Sequence, residues 1–155
     1  MAKKKPIVIT AGQLEQLQPG DHLDLSNSVT KTNSTGSALV IGTPVYVNGG
    51  NATKAQADAQ STIRVAGLVQ DVSAPTAGPV EVATDGILVA TAGQWDAITG
   101  QTGGLTEGAD YWLDESTAGM LTPTAPDQAG DFVVPVGHAM SSTEFEIELG
   151  RPVKL

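Results

Sequence analysis

Turn-forming residues divide this 155-residue chain into short apolar runs that are the length of strands. Glycine occurs 18 times and proline 9 times, and the segments between them are rich in Val, Ile and Thr, which favour strands. Strand candidates separated by turns about every ten residues are typical of a sandwich or a barrel. No helical pattern is long enough to cross between parallel strands. We therefore predict an all-β fold, a compact sandwich or barrel-like domain of short antiparallel strands with one or two short helical turns.

The candidate strands are bounded by turn residues on both sides. They cover residues 37–41, 44–47, 63–69, 80–82, 87–90, 111–113, 119–122, 132–140 and 143–149. The sequence Asn48-Gly49-Gly50-Asn51 predicts a hairpin, because Asn and Gly tolerate a positive φ. Residues 114–119 predict a second hairpin with a longer loop. Glutamates alternate with apolar residues over 144–149, which predicts an antiparallel strand with one face in the core.

Three pairs of segments resemble each other in the same order along the chain. They are residues 10–17 and 91–98, 42–48 and 108–114, and 65–69 and 135–139. We therefore predict a single β-rich domain over 9–155 that contains two related halves, approximately 9–86 and 90–150.

The first pair of segments also carries a helix-start motif. Both members begin Thr-Ala-Gly-Gln, in which the Thr and Gln side chains can form a capping box. Leu14 and Leu17, like Trp95 and Ile98, are spaced to share one face of a helix. We predict that each half begins with a short helical turn, at 10–17 and at 91–98.

The charge of the chain is strongly acidic and unevenly distributed. The formal net charge is −9, which argues against a nucleic-acid partner. No Lys or Arg lies between Arg64 and Arg151, and the clustered cations stand at the N-terminus. Residues 1–8 are expected to form a basic flexible arm. The arm is either a solvated tail or a contact with the acidic surface of a partner or a neighbouring copy, made by Lys3, Lys4, Lys5 and Pro6.

Few residues suggest chemistry. The chain has no Cys, which removes disulfides, thiolate metal sites and Cys nucleophiles. His22 lies beside Asp21 and Asp24 but has no evident third ligand, so we interpret it as part of a surface strand. His138 lies in an apolar run and is expected to be a hydrogen-bonded core or interface residue.

The remaining acidic residues do not form a recognised site either. Asp110, Asp114 and Glu115 lack the order of a calcium-binding loop and suggest a solvated hairpin. We therefore expect no catalytic residue, no cofactor and no metal site, and no enzymatic activity. The apolar run over 7–9 is shorter than a signal peptide or a membrane helix requires, so we expect no membrane partner and a chain that stays where it is made.

Several segments resemble proteins of tailed-bacteriophage virions. Residues 91–100, 103–114, 117–122 and 136–141, which include Thr91-Ala92-Gly93-Gln94 and Ala109-Asp110-Tyr111-Trp112-Leu113-Asp114, resemble a module that recurs in such virions. Residues 9–21 are similar to segments of phage structural and tail proteins. Residues 38–47 and 65–69 resemble small β-rich capsid decoration, or cement, proteins. The resemblance covers most of residues 9–150.

This resemblance implies a non-enzymatic decoration protein that binds the major capsid protein on the outer head surface and stabilises the shell. It also implies a homo-oligomer, a trimer, in a virion protein made in the host cytoplasm. The alternative is a tail-fibre or baseplate module that contacts host glycan through Trp95, Tyr111 and Trp112. A hydrolase is a third hypothesis from another class.

Overall fold

The computed structural model describes residues 7–10, 13–16, 27–71 and 73–155. Strands dominate this part of the chain, and the all-β prediction is confirmed. The elements are β1 (Ile7–Thr10), β2 (Gln13–Gln16), β3 (Ser28–Asn33), β4 (Leu39–Val40), β5 (Pro44–Asn48), β6 (Asn51–Lys54), β7 (Gly67–Val69), β8 (Ser73–Ala74), β9 (Gly78–Ala83), β10 (Gly86–Val89), α1 (Ala92–Thr99), β11 (Asp110–Leu113), β12 (Leu121–Thr122), β13 (Phe132–Val133), β14 (Pro135–Ala139), β15 (Glu144–Ile147) and β16 (Val153–Lys154).

Residues 28–83 contain a closed barrel with the strand order β3-β6-β5-β7-β9. Its antiparallel pairs are β3 with β9, β9 with β7, β7 with β5, and β5 with β6. A short parallel pairing of β3 with β6, from Thr32 to Asn51 and from Asn33 to Ala52, closes the ring. Small and branched apolar side chains form a core cluster here, including Leu39, Val45 and Val80.

Residues 86–147 form an open five-stranded sheet with the order β10-β15-β14-β11-β12. Taken in chain order, its strands pair in the same antiparallel pattern as those of the barrel. The register agrees as well, since Tyr111 pairs with Gly137 where Val45 pairs with Gly67. The repeats at 42–48/108–114 and 65–69/135–139 therefore occupy equivalent strands. The limits of the halves, 9–86 and 90–150, stay a prediction.

The barrel and the open sheet also have a close backbone contact at equivalent glycines, Gly67 and Gly137. A Cβ atom on Gly67 would lie 2.1 Å from the Ala83 carbonyl oxygen, and one on Gly137 would lie 2.0 Å from the Glu146 carbonyl oxygen. Both distances are far inside van der Waals contact, so each strand can pass its neighbour only without a side chain.

The barrel, which we call the first unit, and the open sheet, the second unit, differ where their first strands end. Ile87 pairs with Glu146 as Ser28 pairs with Ala83, so β10 is equivalent to the start of β3. Counting along the strands, the barrel-closing residues Thr32 and Asn33 correspond to Thr91 and Ala92. Thr91 is the N-cap of α1, and α1 lies beside β12. In the second unit a helix thus begins where the first unit continues its strand and closes.

The helix predicted at 91–98 is confirmed, and its local sequence explains its limits. The Thr91 hydroxyl accepts a hydrogen bond from the Gln94 N–H, and the Gln94 side chain accepts one from the Thr91 N–H. This is the capping box expected from the sequence. The helix ends at Gly100, which is left-handed with a φ of 67°, a conformation that glycine adopts at little cost.

The helix predicted at 10–17 is wrong. Ile7–Thr10 and Gln13–Gln16 pair as antiparallel strands, with Thr10 opposite Gln13. A capping box contributes about 1 kcal/mol, so strand pairing can override it. The segment also precedes β3, whereas α1 follows β10, so the first pair of repeats does not occupy equivalent positions. Ile7 and Val8, assigned to the flexible arm, lie in β1.

The predicted strands are present but mostly differ in length. The hairpin at Asn48–Asn51 joins β5 to β6, and Gly49 and Gly50 have positive φ values as expected. The run over 132–140 is divided into β13 and β14, and strand structure within 63–69 is confined to Gly67–Val69. Besides β1 and β2, the sequence analysis missed β3, β6, β8 and β16, whose residues are mostly polar or lie in very short runs.

The barrel and the open sheet share a second core cluster, which holds the aromatic side chains. Trp95 is fully buried, its ring lies 5.5 Å from that of Phe145, and its Nε1–H donates to the Thr143 carbonyl at 3.1 Å. On the barrel side, a Cβ on Gly42 would lie 2.7 Å from the Trp95 ring. Trp95 therefore fixes the helix against both units.

Candidate interaction surfaces

The sequence-predicted contact residues Lys3, Lys4, Lys5 and Pro6 lie outside the described residues, as do His22 and Asp24. Their predicted roles stay predictions. Within the described residues, no group of three or more His, Asp or Glu side chains could hold a metal ion.

His138 lies half-buried on β14 with acidic neighbours. Its Nε2 is 3.4 Å from a Glu146 carboxylate oxygen, and its Nδ1 is 3.5 Å from one of Glu148. Because Gly137 faces the Phe145 ring, the adjacent His138 points to the opposite face of the sheet. The residue is thus part of an acidic outer face and is not buried in the core.

The acidic loop after β11 behaves as a turn. The Asp114 carboxylate accepts hydrogen bonds from the Ser116 N–H at 2.9 Å and the Thr117 N–H at 2.6 Å. These bonds use one carboxylate oxygen to fix the loop backbone. They agree with the hairpin interpretation of Asp110, Asp114 and Glu115.

The aromatic side chains proposed to contact glycan do not form a surface. Trp95 and Tyr111 are fully buried, and Tyr111 packs edge-on against Phe145 with ring centroids 5.8 Å apart. Trp112 is half-buried. The proposed contact through Trp95 and Tyr111 is wrong, because both rings are needed in the shared core.

The outer face of β10 is unusually apolar for a sheet edge. Among the described strands β10 pairs with β15 alone, and its Ile87 and Val89 side chains are 57% and 60% exposed. The equivalent barrel residues are Ser28 and Thr30, whose hydroxyls donate to the Glu81 carboxylate. An exposed apolar strand at an open sheet edge is a template for association with another chain. We call Ile87, Val89 and the β10 edge the apolar edge.

A groove of about 570 Å³ lies between the loop before β7 and the C-terminal segment. On the barrel side, the Val65 N–H donates to the Ile63 carbonyl at 3.0 Å, which makes a tight turn centred on Arg64. The Ala66 N–H then donates to the Val45 carbonyl at 2.7 Å and anchors this turn to the barrel. Ile63 is buried, so Arg64 stands exposed over an apolar base.

The opposite wall is made by the chain after the open sheet. The Gly150 N–H donates to the Pro135 carbonyl at 2.9 Å, and a Cβ at this position would lie 2.8 Å from the Pro135 ring. After this close crossing, β16 pairs with β13, with Phe132 opposite Lys154. The Lys154 ammonium lies 5.8 Å from the centre of the Phe132 ring. Arg151 and Lys154 thereby line the same groove as Arg64.

This cationic groove, defined by Arg64, Arg151, Lys154, Phe132, Ile63 and Val65, has a charge opposite to that of the whole chain. Within residues 27–71 and 73–155, its Arg and Lys side chains form no salt bridge. Sequence analysis missed it because Arg64 and Arg151 are far apart in sequence. The sequence signal that could have pointed to the groove is the stretch without Lys or Arg between these two residues. Because so few cations follow Arg64, any cationic cluster there has to combine Arg64 with the C-terminal cations.

No helix in the described part of the chain is both long and apolar enough to cross a membrane. Comparison with protein-family models and with curated proteins found no match to this chain. The assignment of function therefore depends on the sequence resemblance and on the surfaces described above.

Proposed function

We propose that this protein is a non-enzymatic structural component of a phage virion, a decoration protein that binds the outer head surface and stabilises the shell. The sequence resemblance supplies the class of virion protein. The apolar edge is the structural observation that best supports it, because it suits a module whose function is association.

The apolar edge has the features of an assembly contact. Burying an apolar side chain such as Ile or Val contributes about 1.5–3 kcal/mol, and this term is repeated in each copy of an oligomer. The edge strand also presents backbone groups that another chain can pair with. We assign the apolar edge to self-association, and the oligomer we propose is a trimer.

The basic arm is proposed to contact the capsid. Lys3, Lys4 and Lys5 are the clustered cations at the N-terminus of an acidic chain, so the partner we propose for them is an anionic patch on the major capsid protein. Exposed ion pairs contribute only about 0–1 kcal/mol each, so the arm adjusts affinity while apolar contacts supply most of it. Deleting residues 1–6 should weaken capsid binding, most strongly at low salt, and leave the oligomer intact.

Location in the virion is the decisive test of the class. Gold-labelled protein added to purified phage heads and to complete particles should label the capsid faces in electron micrographs. Label confined to the tail would support the tail-fibre or baseplate alternative, and no label on either would contradict the virion assignment.

The self-association surface has a separate test. The double variant Ile87→Lys with Val89→Lys should sediment as a monomer at micromolar concentration, while the wild-type chain sediments as a trimer. Val29→Lys is the matched control, since Val29 is 39% exposed on β3 in the closed barrel. A wild-type monomer, or an oligomer that survives the double variant, would contradict this use of the apolar edge.

A further inference from the structure

We propose that the cationic groove binds an acidic, extended segment of another polypeptide, in which carboxylates alternate with apolar side chains. This inference does not depend on the location of the protein in a virion, since the groove and its charges are properties of the folded chain.

Charge and shape define the class of ligand. Arg64 and Arg151 both line the groove, and planar guanidinium groups match carboxylates with two parallel hydrogen bonds. Between them, Val65, Phe132 and Pro152 supply apolar contact area. A ligand that contacts both the cationic and the apolar lining residues carries anionic and apolar groups close together in its sequence.

The state of the cations supports an external partner. Arg64, Arg151 and Lys154 are all exposed, and none forms a salt bridge with a described residue. The net charge of −9 makes the rest of the surface repel anions, so an acidic ligand gains most by binding at the groove. The same net charge disfavours a long polyanion such as nucleic acid, because most of that polymer would lie along acidic surface.

A second copy of this chain fits the groove less well. Among the described residues, Glu144 to Leu149 alternates carboxylates with apolar side chains, but Phe145 and Ile147 are buried in the core. A folded neighbour can present the carboxylates of this strand without its apolar groups. The favoured occupant is therefore an accessible acidic segment of a different protein.

A fluorescent hexapeptide of alternating Glu and Leu is the probe, and the full chain is the receptor. Anisotropy at low salt should show saturable binding that weakens as salt rises. A peptide with Gln in place of Glu should bind at least about tenfold more weakly, because the charge-assisted bonds are lost. The double variant Arg64→Ala with Arg151→Ala should lose binding by a similar factor.

The control variant is Lys31→Ala, which removes a cation of β3 that is not among the groove-lining residues. Its affinity should equal that of the wild type, and near-ultraviolet circular dichroism should show the same fold for all variants. Equal binding of the Glu and Gln peptides, or unchanged binding by the double variant, would overturn the proposal.

Two competitors test other occupants. A single-stranded oligonucleotide that binds more tightly than the peptide would overturn the proposal in favour of nucleic acid. Inorganic phosphate that displaces the peptide below millimolar concentration would reassign the groove to small anions. If the peptide binds saturably, the oligonucleotide binds more weakly and phosphate does not displace the peptide below millimolar concentration, the proposal is supported. This holds even if the labelling of virions fails.

Discussion

The barrel and the open sheet have the same strand order and the same register, yet only the barrel closes. In the barrel, β3 continues through Thr32 and Asn33 to pair with β6. In the open sheet the equivalent residues begin α1, and β10 remains at an edge. The comparison locates the difference between the closed ring and the open sheet at two equivalent positions, Thr32 and Asn33 in the barrel and Thr91 and Ala92 at the start of α1.

Asn33 shows how the barrel end is stabilised. Its side chain is 1% exposed, its amide donates to the Ser37 and Pro75 carbonyls, and its oxygen accepts from the Thr35 N–H. The equivalent residue, Ala92, has no polar side chain with which to make such bonds. The polar side chain thus secures the closing turn in one unit, and the Thr91 cap directs the chain into a helix in the other.

The largest effect is expected where the two units meet. Trp95→Ala should lower the free energy of unfolding by about 3–5 kcal/mol, because it leaves a cavity beneath Gly42 and removes the contact with Phe145. Urea unfolding followed by far-ultraviolet circular dichroism measures the change. Trp112→Ala is the matched control and should cost less, since Trp112 is only half-buried. Equal losses would show that Trp95 has no special role between the units.

A smaller effect tests the equivalence of the two registers. Gly67→Ala and Gly137→Ala should each destabilise the protein by about 1–3 kcal/mol, since both place a methyl group against a neighbouring carbonyl. Gly93→Ala is the control: an added Cβ meets nothing within 4 Å, and alanine favours the helix. That control should stabilise by about 0.5–1 kcal/mol. If either strand variant matches the wild type in thermal unfolding, the shared close contact is wrong.

The smallest effect concerns the switch from strand to helix. Thr91→Ala removes the capping box and should cost about 1 kcal/mol in chemical unfolding. Thr91→Ser keeps a hydroxyl and should retain nearly all of the stability. A Ser variant as unstable as the Ala variant would indicate that the methyl group, and not the cap, stabilises this position.

The sequence allowed the fold class to be predicted because turn residues and β-branched runs act locally. The hairpin at Asn48–Asn51 and the helix at 91–98 followed from short motifs that fix their own backbone. The same Thr-Ala-Gly-Gln motif at 10–13 did not produce a helix, because strand pairing outweighed a cap of about 1 kcal/mol. A local motif predicts structure only when the surrounding packing agrees with it.

The apolar edge and the cationic groove were less predictable from the sequence than the fold class. Ile87 and Val89 were placed correctly in a strand, but their exposure depends on the strand being at an open edge. The cationic groove depends on the close crossing at Gly150, after which Arg151 and Lys154 line the same groove as Arg64. Contacts between residues so far apart follow from topology and not from local pattern.

The strand order also has a consequence for how the protein folds in time. Hairpins such as β5 with β6 join neighbours in sequence, and hairpins form in about 1–10 μs. The pairing of Ser28 with Ala83 must instead bring together the two ends of the barrel sequence, and chains dominated by such pairings fold in about milliseconds to seconds. Until β9 has joined β3, the first unit has unpaired strands of its own. During synthesis, the edges of the barrel strands therefore stay unpaired for longer than the hairpins take to form, and unpaired strand edges are where another chain can pair.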